Sequence, residues 1–299
     1  MKTDERFNCN RREASTGSTL LRRLVGDSWS RFATILAMLV ALMPIGAYAQ
    51  SHQDVDRATP PPPPVDTEAE NADTSATSAA AGPTIYITDA SGKLSTVTLG
   101  TYAVHRIGNE GVVLTDISFS PDGQLYGVSF TDFYKVDRVT GKATLIGSLD
   151  IPDANALVFD AHGVAYTEGF ESSELYTIDT KTGQASPVGS TAHYTSAGAL
   201  AFYNGGLVLA GLNPSGTDTL VLLEPSTGKV LAYSELKVAK LFALACTGQD
   251  LLYGFAGTSL YRLLPGESNI NNRAVLLKNL APNGIAQIFG AAYDGNFQN

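Results

Sequence analysis

The sequence predicts an all-β protein, a five-bladed β-propeller with four-stranded blades, and three observations lead to this prediction. From Thr84 onward, helical periodicity is missing, and short runs rich in Tyr, Val, Leu and Thr alternate between Gly-containing turns. A unit of about 40 residues recurs four times, which is the period of propeller blades. The two ends of the region match complementary parts of a fifth unit. The equivalent positions of the four complete units are Phe119, Phe159, Phe202 and Cys246, which lie 40, 43 and 44 residues apart.

Each complete unit contains four predicted strands in a fixed order. A Gly turn joins the first strand to the second, a loop follows, and a Thr-Gly turn joins the third strand to a fourth that ends in Ile-Gly or Val-Gly in the first two units. Gly and Asn favour such hairpin turns because they tolerate a positive φ. The predicted Gly turns are Asp122-Gly123, His162-Gly163 and Asn204-Gly205-Gly206. The predicted Thr-Gly turns begin at Thr140, Thr182 and Thr227.

The incomplete units at the two ends predict how the ring closes. Residues Ile288–Asn296 match only the first strand and turn of a unit, whereas Thr84–Gly108 match the second to fourth strands. Joined in one sheet, they make the fifth blade. A ring closed in this way leaves no blade with an incomplete sheet, so it avoids an unpaired inner edge.

The repeat resembles a loosely related group of secreted bacterial β-propellers, which includes the NHL, lactonase-like and quinoprotein-like repeats. The resemblance rests on the pattern F-S-P-D-G-x-L-Y, Y-x-V-D, T-G and I-G, and it covers residues 84–299. These motifs form blades and do not specify an activity. The only Trp, Trp29, lies before this region, so the tryptophan-docking pattern of quinoprotein repeats is missing. We therefore predict no cofactor.

The first 83 residues predict export rather than a folded domain. Phe32–Ile45 is apolar, follows three arginines and precedes the small-x-small motif Ala47-Tyr48-Ala49, so residues 1–49 are predicted to be a secretory signal peptide for the Sec route. The apolar run is too short for a membrane span; an uncleaved anchor is the alternative. Residues 50–83, with the run Pro60–Pro64, predict a disordered acidic linker. We expect a secreted or periplasmic location.

Charge and cysteine content narrow the classes of partner. Residues 84–299 contain twelve Lys/Arg and nineteen Asp/Glu. This acidic balance argues against nucleic acid and anionic lipid, and it favours a cation, a basic ligand or a neutral ligand such as a sugar. Cys246 is the only cysteine after residue 49, so no internal disulfide is expected, and its apolar surroundings predict a buried structural thiol.

Small residues dominate the predicted inner strands, which indicates a crowded axis. Asp116 is the only acid at these positions, and this counts against a glycosidase, which needs a pair of carboxylates. Lactonase-like propellers hold a metal with Asp, Glu and Asn from different blades. By that resemblance, Asp116 and Asn155, with Glu168 added, make up the alternative of a metal-assisted hydrolase at the axis, for which calcium is the expected ion.

The remaining candidates lie in the loops of the usual ligand face, between fourth and first strands and between second and third strands. The acids of these loops could gather on one sector, and they could equally form a solvated rim. Phe170 could stack on a sugar ring or fill the space between blades, and His193-Tyr194 is the best pair for hydrogen bonding a ligand. The candidate ligand-binding residues are Asp116, Asp153, Asn155, Glu168, Phe170, Glu171, His193 and Tyr194.

The sequence thus favours a non-catalytic binding module over an enzyme. We expect an exported monomer that binds a protein or a carbohydrate on its loop face, with no nucleic-acid partner and no membrane insertion after signal cleavage. No catalytic residue and no metal ligand is assigned under this interpretation.

Overall fold

The computed structural model describes residues 82–170, 172–248, 251–267 and 269–295. The predicted signal peptide, all but the last two residues of the predicted linker, and Glu171 lie outside the described residues. Within those ranges the chain forms five four-stranded antiparallel sheets arranged as a five-bladed β-propeller, and two 3₁₀ turns are its only helical segments. The fold prediction is confirmed. No helix in the described part is long and apolar enough to cross a membrane.

The blades follow the repeat units along the chain. Blade 1 contains β1 (Thr84–Asp89), β2 (Lys93–Thr98) and β3 (Val104–Asn109). Blade 2 contains β4 (Asp116–Phe119), β5 (Leu125–Val128), β6 (Asp132–Val136) and β7 (Ala143–Ser148). Blade 3 contains β8 (Ala154–Phe159), β9 (Ala165–Gly169), β10 (Glu174–Ile178) and β11 (Ala185–Ser190).

The remaining strands complete blades 4 and 5 and close the ring. Blade 4 contains β12 (Thr195–Tyr203), β13 (Gly206–Leu212), β14 (Asp218–Leu223) and β15 (Val230–Glu235). Blade 5 contains β16 (Leu241–Thr247), β17 (Leu251–Ala256), β18 (Ser259–Leu263) and β19 (Ala274–Asn279). The last strand, β20 (Ile288–Tyr293), is the inner strand of blade 1. It pairs with β1 through Ile85↔Tyr293 and Ile87↔Ala291, as the complementary ends predicted.

The turns between first and second strands have the backbone that their sequences predict. Gly123 and Gly163 have φ of 81° and 84°, and in blade 4 both Asn204 (49°) and Gly205 (74°) lie in the left-handed region. A two-residue turn with two positive φ values matches the right-handed twist of its strands. Asp122 therefore occupies a turn, where its carboxylate accepts a hydrogen bond from Ser120.

The apolar core lies in five seams, each seam being the packing surface between two adjacent blades. Five separate clusters of buried side chains fill them, one per seam. Each seam is named by the two blades that form it. In seam 2/3, for example, Val128 and Phe133 of blade 2 pack with Leu157 and Phe159 of blade 3. Because each apolar cluster is formed by two adjacent blades, each seam can be compared with the other four.

Three of the seams contain a close backbone contact that joins two motifs of the repeat. The Gly that ends the fourth strand lies against the Thr-Gly turn of the next blade. A Cβ on any of these glycines would lie far too close to a threonine carbonyl oxygen of the next blade. The distances would be 1.9 Å for Gly108 and Thr140, 2.0 Å for Gly147 and Thr182, and 2.1 Å for Gly189 and Thr227. Only a residue without a side chain fits this space.

Candidate functional site

The propeller axis is closed at one level by the carboxylate of Asp116, the first residue of β4. Its Oδ1 accepts the N–H of Ile117 (2.8 Å), and its Oδ2 accepts that of Leu157 on the next inner strand (2.7 Å). The side chain is 1% exposed. Burial raises the pKa of Asp116 well above its usual value, although backbone N–H groups, including those of Ala291 and Leu200, oppose the shift. Asp116 thus joins four inner strands, and both of its oxygens already have partners.

A small cavity lies on the axis beside Asp116, toward the turns between first and second strands. Its volume is about 70 Å³, which is room for roughly five water molecules. Its lining includes Phe119, Phe159, Phe202, Cys246 and Tyr293, near the ends of the five inner strands. Cys246 is half-buried, so the prediction of a buried thiol is wrong: the side chain packs against the core cluster of seam 4/5 but also lines this cavity.

Glu168 lies in a strand, whereas the sequence predicted that it lies in a ligand-face loop. Strand β9 continues to Gly169, and Glu168 pairs with Ala156 of β8. Its side chain is 0% exposed, in seam 3/4, where Oε1 lies within hydrogen-bond distance of the hydroxyl of Thr191 (3.1 Å) and Oε2 has no partner. Burial raises the pKa of this carboxyl well above its usual value, and the bond from Thr191 lowers it by less. The placement of Glu168 in a solvated rim is therefore wrong.

Asn155 and Thr191 fix the connection between β11 and β12, which we call the Thr191–Ser196 loop. The Asn155 side chain donates from Nδ2 to the carbonyl oxygen of Ser196 (3.3 Å), and its Oδ1 is buried without a partner. The Thr191 hydroxyl is also 2.9 Å from the carbonyl oxygen of Tyr194, within the loop. Side chains from blade 3 thus hold both ends of a loop that leads into blade 4.

This loop carries the predicted pair His193 and Tyr194. Their rings are in contact at an interplanar angle of 34° with centroids 4.4 Å apart, and the centroid of Tyr194 lies 5.9 Å from that of Tyr233 on β15. Tyr194 is 4% exposed, whereas His193 is exposed and Tyr233 is 63% exposed. Burial raises the pKa of Tyr194, and the nearby Tyr233 and Glu235 raise it further. Three aromatic rings and one carboxylate therefore meet at the rim of seam 3/4.

Asp153 and Phe170 lie one loop away, at the rim of blade 3. The backbone N–H of Phe170 donates to the carbonyl oxygen of Asp153 (2.9 Å), and both side chains are half-buried. The structure therefore groups Asn155, His193 and Tyr194 around one loop, with Glu168 beneath it. Asp153 and Phe170 are neighbours of this group, and Asp116 lies apart from it on the axis.

A second buried Glu–Thr pair, which the sequence did not indicate, lies in seam 1/2. The hydroxyl of Thr88 donates to Oε2 of Glu110 (2.8 Å), and Oε1 of Glu110 is buried without a partner. Glu110 is 1% exposed, and its pKa is raised to about 8 by burial, against the bond from Thr88, with a smaller contribution from Asp89. Overlay of the blades places Thr88 at the position of Glu168, and Glu110 at that of Thr191.

The same two positions are apolar in blades 2 and 5. Val128 and Leu149 occupy them in blade 2, and Phe255 and Leu280 in blade 5, all fully buried. A polar residue at a position that is apolar elsewhere in the repeat was the signal that could have found both pairs. Within the ranges that the structure describes, no three His, Cys, Asp or Glu side chains are grouped as metal ligands would be.

Comparison with known proteins supports the fold alone. No known family and no curated protein matches the chain. A chain in the crystal structure of a nidogen/laminin complex is similar with a TM-score of 0.50 and 13% identity, covering 73% of this chain and 100% of that chain. A protein of unknown function from Bacteroides caccae is similar with a TM-score of 0.45 and 11% identity, covering 72% of this chain and 100% of that chain. A protein from a study of the de novo evolutionary emergence of a symmetrical protein is similar with a TM-score of 0.45 and 22% identity, covering 72% of this chain and 94% of that chain.

Proposed function

We propose that this protein is a non-catalytic binding module, exported from the cytoplasm, and that it binds a protein ligand through the rim of seam 3/4. The observation that supports the proposal is the Thr191–Ser196 loop, which buried side chains hold in place. The rings of His193 and Tyr233, which both contact Tyr194, are exposed there. A loop that is already ordered loses little entropy when it binds, and exposed Tyr rings supply large contact areas.

The acidic balance of the propeller domain favours a ligand with a basic surface. Glu235 lies close to the exposed rings, so a Lys or Arg side chain could contact both an aromatic face and a carboxylate. The nidogen/laminin neighbour belongs to a protein complex, which is in keeping with a protein ligand. At the axis, by contrast, the oxygens of Asp116 already accept backbone N–H groups, which disfavours a hydrolase centred there.

The experiment compares variants of the full chain for binding to one partner. Crosslinking to extracytoplasmic proteins of the source cell identifies a candidate, which is then purified for affinity measurement. We expect the double variant His193→Ala/Tyr233→Ala to bind it about tenfold or more weakly than the wild type. Leu145→Ala is the matched control, because Leu145 is an exposed residue on the outer strand of blade 2.

Three outcomes would contradict the proposal. Equal affinity of the wild type and the double variant would exclude the rim of seam 3/4. An equal loss in Leu145→Ala would indicate a general surface effect. Binding to a glycan array that depends on His193 and Tyr233, with no protein partner, would replace the protein by a carbohydrate.

A further inference from the structure

Two buried oxygen atoms beneath the Thr191–Ser196 loop have no hydrogen-bond donor. They are Oε2 of Glu168 and Oδ1 of Asn155, on side chains that are 0% and 5% exposed. The other polar atom of each side chain holds the loop, through Thr191 and through the carbonyl of Ser196. A buried acceptor without a donor costs about 1–3 kcal/mol, so a donor is expected at this place.

The Thr191 hydroxyl has one proton but lies within hydrogen-bond distance of two acceptors, Oε1 of Glu168 (3.1 Å) and the carbonyl oxygen of Tyr194 (2.9 Å). A proton on Oε1 of Glu168 allows both bonds to form and removes a buried charge at the same time. The surroundings are apolar, since Ala156, Leu209 and Val221 belong to the core cluster of this seam. Burial is the main influence on the pKa of Glu168 and raises it. The bond from Thr191 is the only opposing one, and no Lys or Arg side chain contributes.

The titratable groups around Glu168 do not place a buried positive charge beside it that could take the place of this proton. Tyr166 lies on its own strand, Glu174 and Tyr176 lie on β10, and His193 and Tyr194 lie in the loop above it. Tyr233 and Glu235 approach from β15 through Tyr194. Tyr176 is close enough for the charge of Glu168 to raise its pKa, although burial is the larger cause. His193 is the only basic group among them, and it is exposed to solvent.

We propose that Glu168 is a proton-controlled clamp: its neutral form holds the Thr191–Ser196 loop in place, and its ionisation releases the loop. The inference rests on the proposed function, because the loop is the ligand-binding element. An ionised carboxylate in this seam must recruit water, which has to enter between blades 3 and 4 beside Thr191. The folded-state pKa is raised, so the clamp is complete at the lowest pH and is lost as pH rises through that value.

Hydrogen exchange of the ligand-free full chain tests the clamp directly. The amides to follow are those of Thr191, which donates to Ser173 (2.9 Å), and of Tyr194, which donates to Thr191 (3.2 Å). After correction for the intrinsic rate, we expect their protection to fall about tenfold or more between about pH 5 and about pH 9 in the wild type. In Glu168→Gln protection should stay constant, because the amide does not ionise and its NH₂ group can donate to the Thr191 hydroxyl oxygen.

Two matched controls show whether another group titrates. His193→Gln removes the imidazole of the loop, and Glu110→Gln changes the equivalent pair in seam 1/2. Both variants should retain the pH-dependent fall at Thr191 and Tyr194. A wild type with constant protection, a Glu168→Gln variant that still shows the fall, or a His193→Gln variant that has lost it would each overturn the clamp.

A measurement on the wild type keeps the test valid if Glu168→Gln does not fold. Carbon-13 NMR of labelled glutamate side chains should show a carboxyl in addition to that of Glu110 that titrates well above the ordinary glutamate range; its absence would also overturn the proposal. The exchange experiment needs no ligand, so it stands or falls independently of partner binding. Failure of His193→Ala/Tyr233→Ala to weaken binding would instead overturn the proposed function alone.

Discussion

Seams 1/2, 2/3 and 3/4 differ from seams 4/5 and 5/1 in how neighbouring blades touch at the rim. In the first three, a glycine at the end of the outer strand lies directly against a carbonyl of the next blade. At the equivalent positions of β15 and β19 stand Ser234 and Lys278, which pair with Leu220 and Leu260.

The two seams without this glycine contact use arginine side chains instead. Arg273 donates from Nη1 to the carbonyl oxygen of Glu235 (3.0 Å) across seam 4/5, and Arg106 donates to the carbonyl oxygen of Gly284 at seam 5/1. One ring therefore joins its blades in two ways. Backbone can fit against backbone where no side chain intervenes, or a long side chain can bridge a wider gap and satisfy a carbonyl.

The largest effect that does not depend on pH is expected where a methyl group is added to a glycine seam. In Gly147→Ala the new Cβ would meet the Thr182 carbonyl oxygen at 2.0 Å, so blades 2 and 3 must move apart. We expect a loss of about 2–3 kcal/mol in the free energy of unfolding by denaturant. Ser234→Ala, at the equivalent place in blade 4, should change it by less than about 0.5 kcal/mol. Equal losses in both variants would remove the distinction between the seams.

A pH-dependent effect is expected in seam 1/2. The pKa of Glu110 is about 8 in the folded chain against an ordinary value of 4.5, so the folded state binds the proton more tightly. Its contribution to stability is complete below about pH 4.5 and is lost as pH rises to about 8. Glu110→Gln should therefore gain about 4 kcal/mol relative to the wild type at about pH 9 and little at about pH 5. Denaturant unfolding at both values would show it, and a gain independent of pH would contradict it.

The smallest effect is expected at seam 4/5. Arg273→Ala removes donors to the carbonyls of Glu235 and, through Nε, of Glu267 (2.6 Å). We expect a loss of about 1 kcal/mol, because water can reach these half-buried groups once the side chain is removed. Lys181→Ala, in the exposed Thr-Gly turn of blade 3, is the control. A loss as large as that in Gly147→Ala would show that the arginine seams are no more adaptable than the glycine seams.

The fold was predictable because each blade repeats its local signals. The turn glycines, the alternating strands and the complementary ends around Thr84 and Ile288 are all visible along the chain, and the structure confirms them. The contact of Gly147 with Thr182 was not predictable, although both motifs were recognised. Which motif lies against which depends on how adjacent blades pack, and this information is not local.

The candidate site was predictable only in part. His193 and Tyr194 stand out in sequence, but Tyr233 joins them from the outer strand of the next blade. Glu168 was placed in a loop because Glu, Gly and Ser are uncommon in strands, and burial in seam 3/4 overrides that preference. Glu110 was missed because a carboxylate in a sequence suggests a surface residue, and the packing that buries it is not visible along the chain.

Ring closure also sets the order in which the chain can fold as it emerges with its N-terminus first. Strand β1 offers its unpaired edge from the moment it emerges, and its partner Ile288–Tyr293 follows about two hundred residues later. Blades 2 to 5 can form in sequence during this interval, so the pairing of β20 with β1 is the final step, and the open edge is where chaperones or misassembly would act.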